Sequence, residues 1–237
     1  MTSFQRPHHL QIGKILASLD GRLLREHQCY FGGGTAIALR FGEYRESVDI
    51  DFLVSDLPSY RQLRQLLTGP QGLAALIRPD AEAIRQSRDI RADQYGIRTA
   101  VALPAGVPIK FEIVLEARIR LDAPAPPDEV CGIASLTPRD MAASKLLANS
   151  DRWADDSVFS RDLIDLAMMK PSLPLLRAAV HKAEQAYGEA ILRDLAKAIS
   201  HLQTRDDRLS RCMTAMRIDV PKALLWQRVR ALQRVLT

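Results

Sequence analysis

The strongest chemical signal in the chain is Val48-Asp49-Ile50-Asp51-Phe52. Alternation along a strand turns Asp49 and Asp51 to one face and Val48, Ile50 and Phe52 to a core. Two carboxylates side by side repel and are costly on a half-buried strand. A divalent cation removes that cost, and Mg²⁺ takes hard oxygen ligands while keeping positions for substrate phosphates. An exposed edge face is the other way to place such a pair. Glu112 repeats the pattern in Ile109-Lys110-Phe111-Glu112-Ile113-Val114-Leu115. Phe111, Ile113 and Leu115 make one apolar face, and Glu112 stands on the other between Lys110 and Val114. On a strand beside the first it would be a third carboxylate, either a metal ligand or a base toward an attacking hydroxyl. On an edge strand it would be a surface residue.

Gly32-Gly33-Gly34-Thr35 lies between a short apolar run and a helical pattern. Glycines let backbone approach a phosphate, and a helix N-terminus offers unpaired N–H groups. No Gly-Lys-Ser/Thr follows, and Ile37 breaks the GxGxxG spacing. A plain turn is the alternative. Arg40 and Arg45 would add charge toward a triphosphate, although a surface role is the stronger expectation for Arg40, and Ser47 would add a hydroxyl for a phosphate oxygen.

Gly33-Gly34-Thr35, then Asp-x-Asp on a strand, then an isolated acidic residue on a later strand together resemble the polymerase-beta type of nucleotidyltransferase. Gly33-Gly34-Thr35-Ala36 followed by Arg45-Glu46-Ser47-Val48-Asp49-Ile50-Asp51-Phe52 is similar to the AbiEii family, the toxin half of type IV toxin–antitoxin and abortive-infection systems. Two further motifs of that family match in order. They are the Lys-bearing helix Pro138-Arg139-Asp140-Met141-Ala142-Ala143-Ser144-Lys145 and the stretch Arg161-Asp162-Leu163-Ile164-Asp165-Leu166. The likeness spans about residues 10–170. It implies that Asp49 and Asp51 hold Mg²⁺ (or Mn²⁺) against nucleotide phosphates, with Glu112 as third ligand or activator of the acceptor hydroxyl. Gly33, Gly34, Thr35, Arg45 and Ser47 would bind the nucleotide. Lys145 would neutralise triphosphate charge, and Asp162 or Asp165 would orient Lys145 or the acceptor. Asp162 and Asp165, three apart on a helix, share a face, and a helix-start role near Ser160 competes with the site role.

The implied reaction moves an NMP from an NTP to an acceptor. The acceptor would be RNA such as a tRNA 3′ end, and a winged-helix antitoxin would act without a tight complex. A small-molecule nucleotidyltransferase of the antibiotic-modifying kind, and a catalytically silent nucleotide- or RNA-binding module, are the competing readings.

The elements that must position these residues read as α+β: a nucleotidyltransferase-like mixed sheet with flanking helices, then an all-helical C-terminal part. One helix is expected over 9–28, strands over 29–31 and 48–54, and a helix from Pro58 to Leu67. Three further β-stretches follow at 83–88, 94–103 and 107–117, with Pro104-Ala105-Gly106 as a hairpin turn. Residues 1–121 would form the core domain, 122–135 a Pro-rich linker, and 136–237 the helical domain. Thr137-Pro138 opens the helical part.

The 237 residues carry a net charge of +5. Residues 1–136 hold 16 basic and 16 acidic residues, whereas the last 33 hold 8 and 3. That C-terminal excess is either a polyanion footprint or a solvated helical face. No apolar run reaches the ~18 residues of a membrane span. Three dispersed cysteines argue against a disulfide framework or zinc ribbon, and a reducing cytoplasm is the expected location. His8 and His9 are expected at the surface, and Trp153 and Trp226 as packing anchors.

Overall fold

In the computed structural model, which describes residues 4–236, a five-stranded mixed sheet forms the first half of the chain. Its helices are α1 (Pro7–Ser18), α2 (Gly21–Glu26), α3 (Gly33–Arg40) and α4 (Leu57–Thr68). Its strands are β1 (Tyr30–Gly32), β2 (Ile50–Val54), β3 (Arg85–Ala92), β4 (Gly96–Ala102) and β5 (Ile109–Leu115). The strand order is β1-β2-β5-β4-β3. Only the β2–β5 pairing is parallel. The parallel pair forces a long crossover, and α4 with the β3–β4 hairpin fills it. Phe31, Phe52 and Phe111 stack through three adjacent strands with ring centroids 5.8 and 5.5 Å apart. They anchor a core with Ile50, Val54 and Ile113.

The expected helix 9–28 is two helices. At the break, Asp20 accepts from the backbone N–H groups of Arg22 and Leu23 and starts α2. Leu19 bridges to Ile77, and the Asp20 N–H donates to the Leu76 carbonyl. A cap three residues before an apolar pair outweighs continuity of the apolar period. Residues 122–135, expected as a linker, fold into the first unit. They form a 3-10 turn at Pro126–Asp128 and a two-stranded ribbon of β6 (Glu129–Val130) and β7 (Ile133–Ala134). Asp128 is buried and pairs with Arg40 at 2.8 Å. Arg40 also donates to Ser135 Oγ and the Leu136 carbonyl, which takes it out of any phosphate role.

Two compact units result: Met1–Arg40 with Ser47–Thr137, and Phe41–Glu46 with Pro138–Thr237. The boundary therefore falls at 137/138, and a short N-terminal segment belongs to the second unit. That unit is helical, as expected: α5 (Pro138–Arg152), α6 (Arg161–Met168), α7 (Leu173–Tyr187), α8 (Ala190–Thr204), α9 (Arg208–Ala215) and α10 (Lys222–Ala231). Helix α5 packs on α6, α7 and α8, while α10 packs on α6. Leu146, Leu147, Leu163, Leu166, Leu176, Leu195 and Leu225 fill the interior. Among the described residues, no helix is long and apolar enough to cross a membrane, and all three cysteines are free.

Candidate active site

In the first unit the sheet assembles a row of charged side chains. Strand β2 starts at Ile50, so Asp49 lies just before it and only Asp51 is in the ladder. Val48, expected inward, is 45% exposed for the same reason. Asp51 is in register with Gly32 on one side and Glu112 on the other, and Glu112 with Arg98. Residues directly opposite on neighbouring strands point to the same face. Asp51, Glu112 and Arg98 therefore stand in one row.

Helix α3 begins beside this row. Gly33 has φ +66°, and a Cβ there would lie 2.5 Å from Asp51 Oδ2. Only glycine takes that conformation cheaply, and only the absence of a side chain lets the backbone reach the carboxylate. Gly34 sits in the first turn. The buried Thr35 hydroxyl meets the Ser47 hydroxyl at 2.7 Å. The Ser47 backbone N–H donates to His9 Nε2 at 3.1 Å. His9 is thus fully buried rather than exposed, and it fixes the loop that carries Ser47.

Glu112 does not fit the expected third metal ligand. Its Oε1 accepts from Arg98 Nε at 2.6 Å and its Oε2 from Lys110 Nζ at 2.5 Å, with only 12% of the side chain exposed. Both oxygens are committed to cations. Among the described residues, no three His, Cys, Asp or Glu side chains gather to hold a metal. Asp49 and Asp51 do suit a divalent ion. Mg²⁺ in nucleotide sites uses one or two carboxylates and fills the rest with phosphates and water. Burial works against the Lys110 charge, yet Glu112, then Asp51 and Asp49, raise its pKa. The ammonium lies in the field of all three carboxylates.

In the second unit, the two family-type helical motifs converge on a buried network. Lys145 Nζ contacts Asp162 Oδ1 at 2.9 Å and Asp165 Oδ2 at 2.7 Å. Asp165, fully buried, also accepts from Arg45 Nε at 2.7 Å, Arg45 Nη2 at 3.0 Å and the Tyr44 hydroxyl at 2.5 Å. Asp162 takes a second cation through Arg152 Nε at 2.7 Å. Burial disfavours the Lys145 charge, but Asp162 and Asp165 outweigh it and raise its pKa. Burial likewise disfavours the two carboxylates, and their cations hold both below the usual carboxylate range. Asp162 and Asp165 therefore both orient Lys145. Arg45, expected toward a triphosphate, is instead forked onto Asp165 and the Glu46 carbonyl. An ammonium has three donors, and these contacts use two of them.

The spacing pointed to neither Tyr44 nor Arg152 nor His9. Arg152 is legible in retrospect, seven residues and two turns after Lys145 on the same helix face.

The Nucleotidyl transferase AbiEii toxin, Type IV TA system family matches residues 14–234. The chain belongs to the AbiEii family. It is accordingly a nucleotidyltransferase of the toxin–antitoxin type. No curated protein matches the sequence. Two solved structures share the fold. One is JHP933 from Helicobacter pylori, 16% identical, covering 99% of this chain and 95% of that one with a TM-score of 0.52. The other is a candidate nucleotidyltransferase of H. pylori, 18% identical, covering 99% and 97% with a TM-score of 0.50.

Proposed function

We propose that this AbiEii-family enzyme transfers an NMP from a Mg²⁺-bound NTP to an RNA acceptor such as a tRNA 3′ end, in the cytoplasm. A winged-helix antitoxin counters it without forming a tight complex. The observation that carries the reading is the packing of Gly33, at the start of α3, against Asp51, itself in register with Glu112. A helix N-terminus and a carboxylate then stand together, one suited to phosphate oxygens and the other to a cation.

Asp49 and Asp51 would hold the ion, which supplies charge neutralisation at the phosphates. The Gly33–Thr35 backbone positions phosphate oxygens, and the Thr35–Ser47 pair keeps that turn in place. The acceptor hydroxyl attacks the α-phosphorus; its O–P bond forms as the bond to the bridging oxygen breaks. Pyrophosphate departs and the hydroxyl proton passes to solvent. Glu112, already claimed by two cations, acts by holding Lys110 and Arg98 beside the row rather than as the base. In the second unit, Lys145 keeps one donor for an anionic group, with Asp162 and Asp165 fixing its direction. Positioning and charge neutralisation supply most of the rate.

The test is incubation with each labelled NTP, Mg²⁺ and total RNA. Label should enter RNA, and Asp51→Asn should reduce incorporation about 10³-fold while leaving the melting temperature within a degree or two. Full activity of that variant, or label entering only small molecules, would overturn the proposal.

A further inference from the structure

Strand β3 is the outer edge of the sheet, and its pairing with β4 contains two register shifts. Arg85 opposes Ala102, Arg88 opposes Ala100 and Arg91 opposes Arg98, with irregularities between Gln86 and Arg88 and between Arg88 and Arg91. Each shift inserts one residue, as a bulge does, and re-aims the chain. A regular strand would place Arg85, Ser87, Asp89 and Arg91 on one face. The two insertions replace that set with Arg85, Arg88 and Arg91. Through β4 and β5, this face is the one that carries Lys110, Arg98, Glu112 and Asp51.

All three arginines are exposed. Among the described residues, none of their guanidinium groups has a hydrogen bond or ion pair. Seven of the eight cations in the last 33 residues differ, the exposed Arg211 being the exception. Arg205 and Arg208 pair with Asp156, Arg217 with Glu46, and Lys222 with Ser210. Arg228 contacts the Met168 sulfur, Arg230 lies over Trp226, and Arg234 donates to the Pro171 carbonyl. Most of these C-terminal cations thus have partners within the protein, whereas, among the described residues, Arg85, Arg88 and Arg91 share one face of the sheet without any. At the tip of the same hairpin, Tyr95 is 66% exposed. Asp93 holds the turn by accepting from the Tyr95 and Gly96 N–H groups at 2.7 and 3.0 Å.

We infer that the β3 edge is the track for the acceptor: the phosphates of a single-stranded RNA end run along Arg85, Arg88 and Arg91, and Tyr95 stacks an unpaired base. This rests on the RNA-acceptor reading above. Arg85 and Arg91 lie opposite Ala102 and Arg98, four partner residues apart, so the arginines span roughly 13 Å at ~3.3 Å per residue, longer than one triphosphate; a chain of phosphates suits them better than the NTP. A groove of cations with an aromatic platform is the composition of single-strand binders. Charge on an edge strand also discourages pairing with other sheets. That purpose does not require two insertions that turn every arginine to the carboxylate face.

The test measures anisotropy of a labelled single-stranded oligoribonucleotide across a salt series, with NTP affinity determined in parallel by calorimetry. The variants are R85Q/R88Q/R91Q, R85K/R88K/R91K, the single R88E and Y95A, each checked for fold by circular dichroism. Each phosphate contact contributes ~0.7 to the slope of log K against log salt. The triple Gln variant should flatten the slope by about 2 and weaken binding at least tenfold. The Lys variant should keep the slope, R88E should weaken binding in the same direction, and Y95A should lower affinity with the slope unchanged. NTP affinity should stay constant throughout. If wild type binds RNA and the triple Gln variant matches it in affinity and slope, the track is overturned while the RNA reading stands. If wild type binds NTP but no RNA, both fall.

Discussion

Arginine meets carboxylate in both units, with opposite consequences. Arg98 holds Glu112 on an open sheet face with 40% of its own side chain exposed. Arg45 holds Asp165 where neither is more than 6% exposed. On the sheet, water reaches Arg98 and Lys110, so each of these pairs is screened and contributes little. In the helical unit, Asp165 is gripped by Arg45, Lys145 and Tyr44, and opening it would strand a charge without solvent. The sheet row is a set of solvent-screened pairs; the helical network is a buried brace around one ammonium.

The comparison breaks most readily at the brace. Asp165→Ala should cost about 3–5 kcal/mol, because Arg45 and Lys145 lose a buried partner. A denaturant midpoint near that of wild type would show the network to be far more hydrated than its burial indicates. The same network sets acid stability. Asp162 and Asp165 titrate lower folded than unfolded. Their contribution is therefore complete above the unfolded aspartate value of ~3.9 and is lost as pH falls below it. The melting temperature should drop between pH 5 and pH 3, and less steeply in Asp162→Asn/Asp165→Asn. Equal slopes would place the acid-sensitive groups elsewhere.

A smaller effect separates roles within the row. Mn²⁺ binding followed by EPR should weaken about tenfold in Asp49→Asn and change less than about twofold in Glu112→Gln, since only ligands and their supports carry such losses. A tenfold loss in both would restore Glu112 as a ligand. Smallest of all, Arg98→Met should cost only about 0.5–1 kcal/mol of stability, as exposed pairs do. A cost approaching that of Asp165→Ala would erase the distinction between the two regions.

Sequence periodicity located β2, β4, β5, α3 and α4 to within a few residues, because an apolar alternation or a cap marks each. The Lys145 and Asp162/Asp165 motifs were legible as chemistry, and the structure joins them. Register was not legible. Nothing in Arg85-Gln86-Ser87-Arg88-Asp89-Ile90-Arg91 shows that two residues are set aside so that three arginines align; that follows from pairing with β4. Burial of short polar residues was hidden for the same reason. His9 reads as surface until Ser47, 38 residues later, donates to it. Net charge was the least informative quantity, since it counts equally the C-terminal arginines that have partners in the fold and arginines, such as Arg88, that have none among the described residues.

The segment Phe41–Glu46 sets a timetable for synthesis. Tyr44 and Arg45 leave the ribosome about 120 residues before Asp165, the group that receives them. At roughly 5–20 residues per second, that delay is on the order of ten seconds. Throughout it, the stretch leading directly into Ser47, Asp49 and Asp51 lacks its anchor. A chain interrupted before α6 never gains that anchor. Anchoring of that segment is thereby tied to completion of the helical half.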